Sequence, residues 1–176
     1  KQNLLNLYVN WYHVVCASPL VGSDMHSLAL DKNYIDGETL GADYRRAVIN
    51  TKDFSAMYIQ EQQYLMNLEL NFVQNSDIRL QNYEVALKGM NNVIRVKEDH
   101  FFGHYYAAIC YRELKDINKA RESFEKAIHY SKLKFWKKYI VHFNISIEGL
   151  STDDFLTLHL CADSSPSREL SSQTVM

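Results

Sequence analysis

The sequence has few of the residues that interrupt helices. Only 2 prolines and 6 glycines occur among its 176 residues, a scarcity that disfavours a turn-rich all-β fold and favours helices. No apolar run approaches the roughly 18 uncharged residues of a transmembrane helix, so no membrane insertion is expected. An excess of charge is missing too, because 19 basic and 21 acidic residues give a net charge of −2. No electrostatic footprint for nucleic acid stands out.

Cysteine is scarce as well. Cys16, Cys110 and Cys161 are an odd number at wide spacings, and no C-x-x-C or Cys/His metal-binding pattern connects them. We expect buried, small apolar side chains in a reducing compartment, with a disulfide as the alternative. The expected location is the cytoplasm. Because the chain starts at Lys1 and not at Met, a cleaved export signal or a missing neighbouring domain stays open.

What the sequence does contain is a period of 34 residues. The stretch Leu80–Ala86 reads apolar, polar, Asn, apolar, polar, variable, Ala, and Leu114–Ala120 repeats that order. An apolar stripe follows each copy, with Met90 after the first and Phe124 after the second. A fixed period of this length is typical of one helical hairpin that is repeated and stacked, because a single hairpin cannot bury its own apolar face. The pattern therefore predicts a scaffold.

The best copy spans residues 101–134. Its first predicted helix carries Tyr106–Tyr111 and its second carries Ala120–Ala127. These stretches resemble a tetratricopeptide repeat, whose pattern is a large residue, Leu, Gly/Ala and Tyr, then Ala, Phe/Tyr and Ala. The departures are His104, where the family has Trp, and Lys132, where it often has Pro. The resemblance implies an all-α fold of stacked antiparallel helical hairpins in a right-handed superhelix, with an irregular N-terminal helical part.

We predict three regions along the chain. They are an N-terminal helical segment (1–50), a tetratricopeptide-like array (51–162) and a disordered tail (163–176). In the first region, the apolar spacing predicts an amphipathic helix over Leu4–Val15 that ends at Ser18-Pro19. A loop or short helix follows to about Gly37, and a further helix is expected from Glu38 to Asn50.

The unit that precedes the best copy, residues 67–100, matches the pattern only in its second half. Its first helix is therefore predicted to be longer or shifted, with a cap near Asn50 or Thr51. Its predicted buried side consists of Phe54, Met57, Tyr58, Leu65, Leu68 and Phe72.

After the best copy, Trp136, Tyr139, Ile140 and Phe143 predict a closing helix. Ser151 with Asp154 predicts the capped start of another helix through Leu160. The β-branched run from Ile140 to Ile147 is also compatible with extended structure, although a helix is preferred.

Patterns that carry chemistry are few. His100 and His104 lie four residues apart at a predicted helix start, a spacing that can hold a metal ion on one face. No third ligand is evident, and the repeat pattern places His104 in the hairpin interface. No P-loop, dinucleotide-binding glycine pattern or nucleophile elbow occurs. We therefore expect no enzyme, no metal site and no cofactor.

One cluster combines basic and aromatic residues, namely Lys132, Lys134, Lys137 and Lys138 with Phe135 and Trp136. Such a mixture can bind single-stranded nucleic acid through phosphate contacts and base stacking. Because the net charge is negative and the flanks are acidic, we favour a solvated helix face with buried aromatics. No nucleic-acid partner is expected.

The resemblance also implies a binding surface. In tetratricopeptide arrays the first helix of each hairpin lines a concave groove, and positions beside the packing stripe set specificity. Carried onto this sequence, those positions are Phe102, Tyr105, Ile109 and Arg112 in the best copy and Leu68, Asn71, Asn75 and Ile78 in the preceding one. Such a groove suits an extended or helical peptide, because Asn amides can satisfy its backbone groups. Alternatively, these side chains pack against an adjacent helix of the same chain.

The predicted function is a non-catalytic module that binds a protein or peptide partner in this groove. Glutamate at Tyr105 or Ile109 should then weaken binding without unfolding, whereas Ala120→Glu should unfold the protein. Two narrower alternatives stay open. One is a small secretion-type chaperone that forms a homodimer through the helix over Leu4–Val15, and the other is the sensor half of a peptide-responsive transcription regulator.

Overall fold

The computed structural model describes residues 2–35 and 46–158, and every regular element in these ranges is a helix. The all-α prediction is confirmed for this part of the chain. The helices are α1 (Gln2–Leu5), α2 (Asp24–Asp31), α3 (Ala56–Leu68) with a π-helical continuation (Glu69–Val73), α4 (Ser76–Arg79), α5 (Tyr83–Val96), α6 (Phe101–Glu113), α7 (Ile117–Ser131), α8 (Lys134–His142) and α9 (Thr152–Thr157). Among the described helices, none has both the length and the apolar character needed to cross a membrane.

Helix α6 is the centre of the core. Ten of its 13 residues are buried, as in a helix that is covered on all sides. It packs against α5 on one side and α7 on the other. Ala107, Ala108, Ala120 and Ala127 are fully buried, and small side chains of this kind let neighbouring helices approach closely. The burial of Ala120 supports the expectation that a glutamate at this position unfolds the protein.

The turn between α4 and α5 and the turn between α6 and α7 are built alike. Gln81 and Lys115 have positive φ angles of 61° and 65°. The N–H of the next residue, Asn82 or Asp116, donates to the carbonyl five residues earlier at 2.7 and 2.9 Å. This is the Schellman ending of a helix, which usually has glycine at the positive-φ position. The two turns lie 34 residues apart, at the spacing of the sequence pattern.

The N-terminal region differs from the prediction. Helix α1 ends at Leu5 and residues 8–20 contain no helix, so the helix predicted over Leu4–Val15 is wrong. The main chain of Tyr12 and Val14 is hydrogen-bonded to side chains of α3 instead of to a helical turn of its own. A homodimer through that helix loses its structural basis. The loop or short helix expected before Gly37 contains α2.

Two of the predicted segments lie wholly or partly outside the described residues. They are the tail 163–176 and the helix Glu38–Asn50, of which only residues 46–50 are described. Those five residues are not helical.

Helix α3 is longer than α6 once its π-helical continuation is counted, as predicted. It begins at Ala56 with Ser55 as its N-cap, several residues after the predicted cap at Asn50 or Thr51. The Ser55 hydroxyl accepts a hydrogen bond from the N–H of Tyr58 at 3.1 Å. This bond satisfies one of the free N–H groups of the first turn and so sets the start of the helix.

Half of the buried side predicted for this helix is wrong. Leu68 and Phe72 are buried and Leu65 is partly buried, whereas Phe54, Met57 and Tyr58 are exposed. The aromatic packing of α3 begins at Tyr64, whose ring lies 5.0 Å from that of Tyr139 in α8. Phe54, Met57 and Tyr58 precede this contact by at least six residues, and their apolar spacing is not matched by burial.

The C-terminal helices follow the sequence closely. Helix α8 is the predicted closing helix, and Trp136, Tyr139 and Ile140 are buried in it. The run from Ile140 to Ile147 is helical only to His142. Helix α9 starts at the predicted cap: Ser151 and Asp154 form a reciprocal capping box. It ends at Thr157, before the predicted Leu160.

Two cysteines are described. Cys16 and Cys110 are buried free thiols, which confirms the prediction of small buried side chains. Burial raises the pKa of both thiols, in Cys110 to about 12. Neither thiol therefore has the thiolate character that reactive cysteines need. Cys161 lies outside the described residues.

Candidate functional site

A stripe of amide side chains runs along one face of α3 and its continuation. Gln60, Gln63, Asn67 and Asn71 follow one another at intervals of three and four residues, and this spacing places them on one side of a helix. We call these four residues the amide stripe. Asn71 lies in the π-helical segment, a helix distortion that is frequent at functional sites.

Gln63, Asn67 and Asn71 of the amide stripe bind the main chain of residues 8–16, a part of the same protein outside the regular helices, which we call the N-terminal segment. Gln60 instead accepts a hydrogen bond from the Ala47 N–H at 2.8 Å. Asn71 Oδ1 accepts from the N–H of Tyr12 at 2.7 Å, and its Nδ2 donates to the Tyr12 carbonyl at 2.9 Å. Asn67 makes the same pair of bonds with Val14 at 3.2 and 2.8 Å. Gln63 Nε2 also donates to the Val14 carbonyl, at 2.7 Å.

These clamps imitate the edge of a sheet. Tyr12 and Val14 are two residues apart, which is the period at which an extended chain presents equivalent main-chain groups. Each clamp satisfies both the N–H and the C=O of its residue, as a neighbouring strand does in β-strand addition. Because the bonds go to main-chain atoms, they place little demand on the side chains at these two positions.

Asp77 anchors the start of the N-terminal segment. Its carboxylate accepts hydrogen bonds from the Tyr8 hydroxyl at 2.8 Å and from Asn10 Nδ2 at 3.1 and 3.2 Å. Asp77 is only 1% exposed, and a buried carboxylate is costly unless it is hydrogen-bonded. Within the described part of the chain, no cation forms an ion pair with it. Its demand for donors is therefore met by neutral groups of the N-terminal segment.

Trp11 lies in a slot on α5 that exists because residue 89 is glycine. A Cβ atom at Gly89 would lie 2.6 Å from the indole ring. The ring also meets Phe72 edge-on, with centroids 5.5 Å apart. Glycine inside a helix costs about 1 kcal/mol relative to alanine, and the approach of Trp11 gives this glycine a structural reason. An open cavity of about 400 Å³ adjoins the ring between the N-terminal segment and α5.

The N-terminal segment lies on the surface of the molecule. None of residues 3–15 is buried, and Cys16 is the first side chain that is. The surface beneath it contains Leu68, Asn71, Phe72 and Asp77, all buried. The segment is therefore held mainly by directional hydrogen bonds and one aromatic slot, with little burial of its own side chains.

Six of the eight predicted groove residues are buried, namely Phe102, Ile109, Arg112, Leu68, Asn71 and Asn75. Tyr105 and Ile78 are partly buried against the core. The predicted groove is thus not an open surface in this structure. A glutamate at Ile109 is now expected to destabilise the fold, because the side chain is buried.

In the best copy, the predicted groove residues pack inside the protein. The ring of Phe102 lies 5.9 Å from that of Trp136 in the aromatic core. Arg112 reaches α9, where its Nη1 donates to the Phe155 carbonyl at 2.9 Å and its guanidinium stacks 4.8 Å from the Phe155 ring. The Tyr105 ring lies 6.4 Å from the same ring. This arrangement corresponds to the alternative of packing within the chain.

The preceding unit is different, because Asn71 binds an extended main chain as the groove hypothesis requires. Asn75 has a local role: its Oδ1 accepts from the Ile78 N–H at 3.0 Å, and its Nδ2 donates to the Asn71 carbonyl at 3.0 Å. Asn67 and Gln63 were not among the predicted site residues. The four-residue spacing of Asn67, Asn71 and Asn75 is the signal that would have identified Asn67.

His100 and His104 have structural partners. His100 Nδ1 accepts from the Gly103 N–H at 3.0 Å and so caps α6. Burial, followed by the nearby Lys97 and His104, lowers the pKa of His100 to about 3. The ring of His104 donates from Nε2 to the Glu98 carbonyl at 2.7 Å. In the described ranges, no three His, Cys, Asp or Glu side chains are grouped as metal ligands would be.

The basic and aromatic cluster lies at the start of α8, and its Lys132 precedes that helix as the C-cap of α7. Trp136 is fully buried, and its indole N–H donates to the Asp99 carbonyl at 2.7 Å. Phe135 is half exposed, and Lys138 pairs with Glu61 at 3.0 Å. Only one ring is thus accessible for base stacking, and one of the lysines is partly neutralised. The cluster agrees with the favoured reading of a solvated face with a buried aromatic.

Comparison of the chain with models of protein families, with curated proteins and with solved structures finds no match.

Proposed function

We propose that this chain is a non-catalytic interaction module, built of tetratricopeptide-like hairpins, that binds an extended peptide along the amide stripe of α3. The observation that carries the proposal is the pair of amide clamps on Tyr12 and Val14. Each clamp uses one N–H and one C=O, groups that every residue except proline offers. The stripe is therefore suited to hold a peptide through its main chain.

The hairpin part of the proposal is supported by the arrangement around α6. Helices α5, α6 and α7 pack in sequence order, and the Schellman turns at Gln81 and Lys115 recur at the interval of the sequence pattern. Stacked hairpins of this kind present rigid helix faces, so little ordering of the protein is needed when a peptide binds. The proposed site lies on the first helix of the unit before the best copy, where Asn71 was expected to act.

Of the two narrower alternatives, the peptide-responsive sensor is favoured by the same clamps, because they bind a chain in extended form. The secretion-type chaperone was argued partly from a dimerising helix over Leu4–Val15, and that helix does not form. We therefore keep peptide binding as the proposed activity.

The test uses the full chain and a fluorescein-labelled synthetic peptide with the sequence of residues 8–16, titrated by fluorescence anisotropy. N-methylation of the peptide nitrogens at the positions of Tyr12 and Val14 removes the N–H groups from which the Oδ1 atoms of Asn71 and Asn67 accept hydrogen bonds. An unpaired amide acceptor costs about 1–3 kcal/mol, so the dissociation constant should rise roughly 10-fold or more.

The matched control is N-methylation at the position of His13, whose N–H does not bond to the stripe. This control also adds an N-methyl group to the peptide, but the dissociation constant should stay within about twofold of that of the unmodified peptide. Equal losses at all three nitrogens, or undiminished binding to an Asn67→Leu/Asn71→Leu chain, would contradict main-chain recognition by the stripe. The absence of binding by any peptide would contradict the proposed function itself.

A further inference from the structure

The site is already occupied by the protein's own chain, and this occupancy suggests how binding is controlled. We propose that the N-terminal segment is a built-in competitor, and that the ligand which displaces it is an extended peptide with a basic residue directly before an aromatic one. The inference rests on the proposed function. It adds a regulatory element and a partner chemistry to the same site.

Competition follows from the atoms involved. Asn71 uses both its Oδ1 and its Nδ2 on Tyr12, and Asn67 uses both on Val14. A second extended chain cannot make these bonds while the segment is in place. Binding in trans therefore requires the segment to leave, and the apparent dissociation constant is the intrinsic one divided by the fraction of open molecules.

The N-terminal segment should detach from the helices at a lower free energy than is needed to unfold the core. Its residues before Cys16 are not buried, and it is flanked by the four-residue helix α1 and the irregular residues 17–22. Segments with few buried apolar contacts open locally at a lower free energy than the core does. Release also leaves the core helices intact, because the segment contributes hydrogen bonds and one slot contact to them.

The partner chemistry follows from Asp77 and Gly89, which both contact side chains of the segment. Asp77 is buried, and among the described residues its side-chain donors are the neutral groups of Tyr8 and Asn10. A cationic donor adds a direct Coulomb attraction to the carboxylate that the neutral donors lack, and this attraction is strong where water is excluded. An ammonium or guanidinium group at the Asn10 position therefore binds this carboxylate better than the segment does. The Gly89 slot accepts a ring at the following position, where the segment has Trp11.

The experiment compares three labelled peptides with the sequence of residues 8–16, which carry Asn, Lys or Glu at the third position. Each is titrated by anisotropy into the wild-type full chain and into Trp11→Ala and Tyr8→Phe variants, which loosen the segment and leave the stripe unchanged. His13→Ala is the matched control, because this side chain is exposed and contacts neither Asp77 nor the slot. Circular dichroism checks that every variant is folded.

We expect the wild-type chain to bind the Lys peptide about 10-fold more tightly than the Asn peptide and the Glu peptide least. The Trp11→Ala chain should bind all three at least 10-fold more tightly than wild type, Tyr8→Phe should lie between them, and His13→Ala should match wild type. An Asp77→Asn chain should lose the preference for Lys over Glu.

Equal affinities in wild type and both loosened variants would overturn the competitor role. If the N-methyl series still behaves as expected, the proposed function would stand without it. Equal binding of the Lys and Glu peptides would overturn the assigned partner chemistry. Sedimentation equilibrium could instead reveal a wild-type dimer that the Asn peptide converts to monomers. That result would mean that each N-terminal segment binds the stripe of a second copy, and it would overturn binding of the segment within its own chain.

Discussion

The two ends of the helical array are covered by the same chain in opposite ways. At one end the N-terminal segment lies extended on α3 and is held by amide and carboxylate hydrogen bonds. At the other end α9 lies against α6 and α7, with Phe155 stacked on Phe124 at a centroid distance of 3.9 Å and an interplanar angle of 6°. Phe155 is 2% exposed, whereas Trp11, the largest side chain of the N-terminal segment, is 37% exposed.

This difference separates exchangeable contacts from stabilising ones. Water can replace a hydrogen bond at the surface, so its net contribution is only about 0.5–1.5 kcal/mol. Water cannot replace the contacts of a buried aromatic side chain, which stabilises the fold in proportion to the apolar area it removes from water. We therefore expect α9 to unfold with the core and the N-terminal segment to open by itself.

The largest effect is expected at the apolar end. Phe155→Ala removes the stacked ring from Phe124 and the surface on which Arg112 lies. Truncation of a buried phenylalanine costs about 3–5 kcal/mol, and chemical denaturation should register this as a loss of global stability. Leu158→Ala, an exposed position just after α9, serves as the control and should change stability by less than about 0.5 kcal/mol. A small effect of Phe155→Ala would remove the distinction between the ends.

Acid should act on the core that both ends share. The buried His100 has a folded-state pKa lowered to about 3, so the unfolded chain takes up the proton first. Its contribution is complete above about pH 6.5 and falls by about 1.4 kcal/mol per pH unit below that value, or roughly 2–3 kcal/mol at pH 4.5. His100→Asn can still cap α6 and should show a shallower decline in denaturation midpoints between pH 7 and 4.5. An equally steep decline would assign the acid sensitivity to other groups.

A smaller and local effect is expected at the polar end. Asn71→Leu keeps a similar volume but removes the clamp on Tyr12, so about 1–2 kcal/mol should be lost. Hydrogen exchange should detect this as faster exchange in residues 8–16 and unchanged exchange in α6. Acceleration of exchange in α6 to the same degree would mean that the segment is part of the cooperative core.

The smallest net effect is expected for Gly89→Ala. Alanine favours helix α5 by about 1 kcal/mol, but its Cβ pushes Trp11 out of the slot. Global stability should therefore stay the same or rise slightly while exchange in the N-terminal segment accelerates, so the core and the segment respond with opposite signs. Lys88→Ala, an exposed neighbour on α5, should change neither quantity. Slower exchange in the segment would contradict the slot assignment.

The sequence predicted the helices from α5 to α9 well, because their signals are local. Apolar spacing, the alanines at positions 86 and 120, and the Ser151–Asp154 cap are all read within a few residues of the element they define. The 34-residue pattern also located the two similar turns before α5 and α7. The superhelical arrangement stays a prediction.

The N-terminal segment could not be predicted in this way. Leu4, Tyr8, Trp11 and Val15 have the spacing of a helix, but the deciding partners lie far away in the sequence. Asn71 is 59 residues from Tyr12, and Asp77 is 69 residues from Tyr8. Only the fold brings these groups together, so the local pattern gave the wrong structure. The same distance hid the role of Gln63, whereas the regular amide spacing could have identified Asn67.

Main-chain clamping has a consequence for how this protein changes over evolutionary time. Because Asn67 and Asn71 hold main-chain atoms, the clamps tolerate any residue except proline at positions 12 and 14. The Tyr12 hydroxyl also donates to the Leu4 carbonyl at 2.6 Å, so position 14 should vary more freely than position 12. The slot at Gly89 and the Asp77 carboxylate contact side chains of the segment. Substitutions at Gly89 should therefore correlate with substitutions at Trp11, and those at Asp77 with those at Asn10. In related sequences, variation at a clamped position together with correlated changes in the pairs 89/11 and 77/10 would indicate selection for main-chain binding by the segment.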